Sequence, residues 1–262
     1  MSATGIDEEL GAVLRDGYAE MLNNHAQLLG VVRPDFIRLN NAVRLYANSV
    51  VWIQHQSEEG LFFGSGFFIS PRLVATNRHV ISSVKSGAPV SPETLRVVTN
   101  KRSHGVSAVY LPLSLIDDVA LLELEGDDDA ARPLRLAYSE LIEVGERIIT
   151  LGFLSPEPIG FEENLYCNTG LVNRIRQSDL CSERVLEISI ELKGGISGAP
   201  ILNEFGEVIG LVTYSTQRRQ VTEGGYLQID NAFYAIPVGV LRRLCAEMEA
   251  QLEVGAVEKT EC

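Results

Sequence analysis

The chain has 262 residues, 45% of them hydrophobic, with 22 basic against 35 acidic side chains and a formal net charge of −13. That length holds a sizeable core, either as one all-β domain of barrel type or as two smaller domains. So acidic a surface repels nucleic acid and anionic membranes, which sets both aside as main partners, and no run of about 18 apolar residues offers a membrane span.

The N-terminal stretch from Met1 to Glu9 lacks the basic n-region and apolar h-region of a signal peptide. The expected compartment is therefore the cytoplasm. Residues 7–30 read as a helix, because Leu10, Val13, Leu14, Tyr18, Met21, Leu22 and Leu29 recur at three- and four-residue spacing behind an acidic first turn. Pro34 interrupts it, and Phe36, Leu39, Val43 and Tyr46 mark a second short helix. This extension, residues 1–47, carries no chemistry of its own. It either packs on the domain behind it or serves as a docking or inhibitory arm for a regulatory protein partner.

From residue 49 the pattern changes to short β runs: Val50–Ile53, Phe67–Ile69, Leu73–Thr76, Leu95–Val98, Ser107–Tyr110 and Val119–Leu122. Many short strands between Gly, Pro, Ser and Asn suggest a sandwich or barrel. The stretch 126–145 opens on Gly126-Asp127-Asp128-Asp129 and reads as a polar connector. A second β set follows at Ile148–Leu151, Gly170–Val172, Val185–Ile190, Val208–Val212 and Phe233–Ile236. Residues 238–252 make a final helix with Leu241, Leu244, Cys245, Met248 and Leu252 on one face, before a polar tail over 253–262.

The four cysteines, Cys167, Cys181, Cys245 and Cys262, show no C-x-x-C spacing and no nearby histidine, which argues against a structural zinc site. Cys167 and Cys181 either pair across a loop or stay free thiols, the latter favoured in a reducing compartment. No metal and no organic cofactor is implied.

The chemistry concentrates around Ser197, in Gly194-Gly195-Ile196-Ser197-Gly198-Ala199-Pro200. Glycines permit a tight turn and close approach of a carbonyl group. In such a turn the amides of Gly195 and Ser197 can point into one space, as an oxyanion hole requires. All four histidines, His25, His55, His79 and His104, precede Ser197. The local string also resembles the nucleophile elbow of α/β-hydrolases, but that fold needs a histidine after the serine. The order Asp, His, Ser would need an acid before His79, where only Asp7, Asp16 and Asp35 stand, all in the helical extension. The order His, Asp, Ser remains. His79 is the best base, at the point where Leu73–Thr76 runs into a short turn. His25, His55 and His104 read as packing or surface residues, His104 in a polar loop. The acid is Asp118, at the head of the apolar run Val119–Leu122, where a carboxylate is costly to desolvate unless paired; Asp117 then faces solvent.

Three motifs carry a family resemblance over residues 48–250. Gly64-Ser65-Gly66-Phe67-Phe68-Ile69 with Leu73–Val80 resembles the histidine region of trypsin-like and HtrA-like serine peptidases. Asp118–Leu122 resembles their aspartate strand. Gly195–Leu202 with Gly206–Gly210 resembles their serine region, and Tyr234–Pro237 the end of their last strand. The resemblance implies an all-β fold of two six-stranded antiparallel Greek-key barrels, about residues 48–130 and 140–237, with the helical extension before them and a C-terminal helix after. It implies a serine endopeptidase acting on protein or peptide substrates through a Ser197–His79–Asp118 triad; a non-catalytic interaction module on the same fold and a hydrolase of other acyl groups are the alternatives. It further implies that Thr213, Tyr214 and Ser215 line the substrate edge and that Glu191 lies near the floor of the specificity pocket, favouring a basic residue, unless it points to solvent. Ile196 departs from the Asp or Asn common before the nucleophile, so the zymogen switch of the digestive enzymes cannot operate. Ala199 replaces a common glycine, and no PDZ-like domain follows.

Overall fold

The structure, a computed structural model, describes residues 43, 45–57, 60–138, 142–154, 161, 164–179, 181–221 and 227–260, with backbone alone at 57, 217–221, 227–230 and 253–260. The helix expected over 7–30 and most of the second one lie outside the described residues. The end of the latter appears as one turn, closed by Ala47 N–H on the Val43 carbonyl at 2.9 Å, with Tyr46 buried.

Twelve strands follow. The first six are β1 (Val50–Ser57), β2 (Gly60–Phe68), β3 (Leu73–Thr76), β4 (Leu95–Val98), β5 (Ser103–Tyr110) and β6 (Ala120–Leu124). They close into a barrel in the order β1-β2-β3-β6-β5-β4. The second six are β7 (Arg147–Phe153), β8 (Leu165–Arg176), β9 (Val185–Ile188), β10 (Pro200–Leu202), β11 (Val208–Val221) and β12 (Leu227–Pro237). They close in the same order, β7-β8-β9-β12-β11-β10. Every pairing is antiparallel. The expected double barrel is thus observed, a six-strand pattern used twice.

The strands that read as continuous apolar runs are those buried on both faces. Side chains alternate sides along a strand. In β6, Ala120, Leu122 and Leu124 fill the first barrel, while Leu121, with Val119, faces a core shared by both barrels. In β7, Ile148 fills the second barrel, and Ile149, Leu151 and Phe153 enter the shared core. Burying each such side chain stabilises the fold by about 1.5–3 kcal/mol. By contrast, β4 buries Leu95 and Val97 and exposes Arg96, the pattern of a strand with one wet face.

The C-terminal helix α1 (Val238–Thr260) covers the shared core with Val238, Val240, Leu241 and Leu244. It runs past the expected boundary at 252: residues 253–260 continue the helix instead of forming a tail. That segment, Glu253-Val254-Gly255-Ala256-Val257-Glu258-Lys259-Thr260, contains no proline to stop the helix, and its single glycine, Gly255, is a tolerable weakness. The connector after β6 is less polar in place than its start suggests. Leu134 and Ala137 are buried, and the Leu134 amide donates to the Phe68 carbonyl at 2.8 Å.

Two further expectations change. His104 lies within β5, not in a loop, and is buried against Asp128, its Nε2 at 2.9 Å from Oδ2. Asp128, expected among solvated connector residues, is therefore an internal partner. His55 lies inside β1, buried, its ring stacked on Phe62 at 5.2 Å.

Candidate active site

The site is built where three chain breaks meet between the barrels. β3 ends at Thr76, and the chain turns through Asn77 into a single 3-10 turn, His79–Ile81. Val80 and Ile81 are buried and anchor that turn, leaving the His79 side chain 49% exposed. Asp118 stands just before β6 and holds His79 twice: its Oδ1 accepts the His79 amide at 2.9 Å and its Oδ2 lies 2.7 Å from the ring Nδ1. A carboxylate only accepts, so the proton of this contact sits on Nδ1, which leaves Nε2 as the acceptor of the neutral ring. Asn77, buried, donates Nδ2–H to the Asp118 carbonyl at 2.8 Å, which ties the two loops together again.

The second barrel contributes the serine segment and Thr213. Two turns follow one another before β10. Ile196 N–H donates to the Lys193 carbonyl at 3.3 Å, with Gly195 third in that turn at φ +94°. Ala199 N–H donates to the Ile196 carbonyl at 3.0 Å, with Gly198 third at φ +85°. Positive φ at the third position is the type II pattern, open to glycine without strain. A Cβ at Gly198 would also collide with the Ser65 carbonyl and the Thr76 hydroxyl. Ser197 lies between the two glycines. Among the described residues its hydroxyl donates to the Thr213 carbonyl at 3.3 Å and not to His79.

Thr213 joins the halves. Its hydroxyl donates to Asp118 Oδ2 at 2.6 Å, the oxygen that also meets His79. The family resemblance placed Thr213 at the substrate edge; a link to Asp118, 95 residues away, had no signal in the sequence. Ser65 is a second residue missed in this way. Its buried hydroxyl donates to the Gly195 carbonyl at 2.9 Å and accepts the Phe153 amide at 2.8 Å, while its own amide donates to the Ser197 carbonyl at 2.8 Å. The Gly-Ser-Gly string was visible, but not what the hydroxyl touches.

Asp117 corrects an expectation. It is fully buried, not solvent-facing. Burial alone would raise its pKa, but the amide and hydroxyl of Ser182 and the charge of Arg243 outweigh that and hold the carboxyl below its ordinary value. Ile196 is buried in the core of the second barrel, so apolar packing anchors the serine segment where the digestive enzymes use a salt bridge. Tyr214 stacks on Tyr234 with centroids 4.8 Å apart, and Ser215 and Glu191 are exposed. Cys167, Cys181 and Cys245 are free thiols, so the Cys167–Cys181 pairing is not made. Among the described residues no acidic, histidine or cysteine cluster could hold a metal, and no helix is long and apolar enough to cross a membrane.

The family profile described as trypsin-like peptidase domain matches residues 64–211, which hold His79, Asp118 and Ser197. The chain belongs to that family. Its trypsin-like domain is similar to curated proteins named probable periplasmic serine endoprotease DegP-like. The one from Pseudomonas savastanoi pv. phaseolicola is 27% identical over 194 residues, 73% of this chain and 36% of that relative. The one from Pseudomonas fluorescens is 28% identical over 204 residues, 76% of this chain and 37% of the relative. The chain thus spans little more than a third of the length of these relatives. In structure the trypsin-like domain resembles the Rv3671c protease from M. tuberculosis in its active form, with a TM-score of 0.59 at 21% identity over 82% of this chain and 87% of that one. It also resembles the scabies mite inactivated protease paralogue S-I1, with a TM-score of 0.60 at 18% identity over 78% and 95%. At 21% and 18% identity these likenesses show the fold.

Proposed function

We propose that this chain is a serine endopeptidase with Ser197 as nucleophile, His79 as general base and Asp118 orienting the histidine. The observation that carries this reading is the 2.7 Å contact between His79 Nδ1 and Asp118 Oδ2, with Thr213 bonded to the same oxygen. It leaves Nε2 as the acceptor, the tautomer a general base needs. In this reading Nε2 replaces the Thr213 carbonyl as acceptor of the Ser197 hydroxyl, and such bonds commonly tighten only when substrate binds.

In the proposed cycle, Ser197 Oγ attacks the scissile carbonyl carbon while its proton passes to His79 Nε2. The C=O bond opens to an oxyanion, which the amides of Gly195 and Ser197 receive. Among the described residues neither amide donates a hydrogen bond within the chain, so both donors are available. The intermediate collapses, the C–N bond breaks, and His79 gives its proton to the leaving amine. Water then attacks the acyl ester with His79 again as base, releasing the acid and restoring the Ser197 hydroxyl.

The pairing of β10 with β11 ends at Leu211, so the Thr213–Ser215 stretch presents an edge to which an extended peptide can add as a strand. Glu191, exposed and six residues before Ser197, is proposed to favour a basic residue before the cleaved bond through its charge; profiling a peptide library with the native chain and Glu191→Gln tests that preference. The N-terminal extension is proposed as a regulatory arm, tested by peptidase activity and partner binding with residues 1–40 deleted. Cytoplasmic residence rests here on the free thiols, whereas the curated relatives are named periplasmic; cell fractionation decides between them.

The deciding experiment labels the protein with a fluorophosphonate and locates the adduct by mass spectrometry. Label at Ser197 that disappears in Ser197→Ala supports the triad. A protein that stays unlabelled with its extension removed, and cleaves no peptide, is instead a binding module on a protease fold.

A further inference from the structure

The loop between β5 and β6 delivers Asp118 to His79. Pro112 and Val119 at its ends are buried, but between them Leu113, Leu115 and Ile116 are 79%, 80% and 51% exposed. Hydrophobic packing therefore holds the ends of the loop and not its middle. Polar attachments hold the middle, and they come from the second barrel and from α1. Buried Asp117 accepts the Ser182 amide at 2.8 Å, the Ser182 hydroxyl at 2.7 Å and Arg243 Nη2 at 3.1 Å. Arg243 Nη2 also donates to the Ser182 hydroxyl at 2.6 Å, closing a three-membered network. One turn further along the helix, Glu247 Oε2 accepts the Leu113 amide at 3.3 Å. Residues four apart share a helix face, so one face of α1 grips the loop at both Leu113 and Asp117.

We propose that Asp117, Arg243 and Glu247 are positioning residues for the triad, a role that rests on Asp118 being its acid. Asp117 and Asp118 meet different partners, Ser182 and Arg243 for the first and His79 and Thr213 for the second. Asp117 is held on the helix side, and this fixes the peptide from which Asp118 reaches His79. Arg243 is itself partly exposed, so its ion pair alone contributes little. Its weight comes from the buried carboxylate it satisfies, which would otherwise be left short of partners. The C-terminal helix thus controls the geometry of the His79–Asp118 contact without touching substrate.

The test compares Arg243→Ala, Arg243→Lys and Glu247→Ala with the native chain. It reads thermal unfolding, kcat and KM on a peptide substrate, the rate of fluorophosphonate labelling, and the downfield NMR resonance of the His79 Nδ1 proton. A misplaced catalytic group costs up to about a hundredfold in rate. Arg243→Ala is expected to lower kcat and the labelling rate about 10- to 100-fold, leave KM within about twofold, and broaden or abolish the Nδ1 resonance while the protein stays folded. Arg243→Lys restores part of both signals. A folded Arg243→Ala with native kcat and an intact resonance overturns the inference and leaves the triad reading standing. If Arg243→Ala fails to fold, Glu247→Ala decides, because it removes one surface acceptor; a native resonance and kcat there overturn the inference equally. A native chain with neither resonance nor labelling overturns the triad reading, and this inference with it.

Discussion

The Ser65 hydroxyl donates to the Gly195 carbonyl at 2.9 Å, so a buried side chain of the first barrel fixes a peptide in the turn that precedes Ser197 in the second. The same oxygen accepts the Phe153 amide at 2.8 Å, and both of its hydrogen-bonding roles are filled. Ser65→Ala keeps the packing but leaves a buried donor and acceptor unpaired. The expected stability loss is about 1–3 kcal/mol. Full loss of an oxyanion donor costs roughly 10²- to 10³-fold in kcat; a loosened Gly195 is expected to cost less than that, with KM nearly unchanged. Steady-state kinetics with chemical denaturation separates the two effects. Unchanged kcat in a destabilised but folded protein would confine Ser65 to stability.

Gly198 and Gly87 make a matched pair of substitutions. Both have positive φ, +85° and +64°, but a Cβ at Gly198 meets backbone and hydroxyl oxygens, whereas a Cβ at Gly87 meets nothing within 4 Å. Gly87→Ala is expected to cost about 1–2 kcal/mol of backbone strain and no activity. Gly198→Ala adds a collision to that strain and is expected to abolish labelling of Ser197, with a stability loss of more than about 3 kcal/mol. Similar melting temperatures for the two variants would contradict this account.

Acid stability should depend on two buried carboxyls. Burial raises both Asp117 and Asp128, but hydrogen bonds and charge outweigh it: from Ser182 and Arg243 for the first, from His104 and the Ala130 amide for the second. Each is held below its ordinary 3.8, so each binds fewer protons folded than unfolded. Their stabilisation is complete above about pH 3.8 and is lost as pH falls through the lower folded values. Asp128→Asn is expected to cost about 1–3 kcal/mol at pH 7 and to flatten the acid limb of the stability curve, followed by urea unfolding at several pH values.

Glu146 has the opposite sign. Burial and the negative charges of Glu204, Glu143 and Glu207 raise its pKa above the ordinary 4.5, against a hydrogen bond from the Glu143 amide. Its charged form therefore opposes folding above the raised value, and that penalty vanishes as pH drops below 4.5. Glu146→Gln is expected to raise Tm by about 1–2 °C at pH 7 and by nothing near pH 4. Calorimetry at both pH values checks it; a gain of equal size at both would rule out the electrostatic cause.

The thiols of Cys167, Cys181 and Cys245 are each pushed up to about 11, in every case first by burial. Little thiolate exists near neutral pH, and the thiolate is the reactive form. Iodoacetamide at pH 7.5 is expected to modify these three slowly in the native protein and fully after denaturation, read by mass spectrometry. Rapid native labelling of Cys181 would show that its surroundings open in solution.

Much of the barrel architecture was legible because alternation and apolar runs are local properties of a strand. β3 and β4 match the sequence reading at Leu73–Thr76 and Leu95–Val98. β5 and β8 run several residues beyond the sequence reading, since polar residues such as Ser103, Asn168 and Thr169 interrupt the apolar pattern while their backbone stays paired. Errors fell where a polar side chain found a buried partner. His104 looked like a loop residue because Asn100, Lys101 and Arg102 surround it, and only Asp128, 24 positions on, explains its burial.

The amino-acid sequence by itself determined the double set of strands, the order His79, Asp118, Ser197 and the need for glycine at 195 and 198. Each of these is written in short-range pattern or in order along the chain. The tertiary structure alone decided that Asp117 is buried against Ser182 and Arg243, that Thr213 bonds to Asp118, that Ser65 braces Gly195, and that α1 grips the Asp118 loop. Those contacts join residues tens to over a hundred positions apart. Hydroxyls and carboxylates carry no periodicity that reveals a distant partner, so only closure of the two barrels against one shared core brings them within bonding distance.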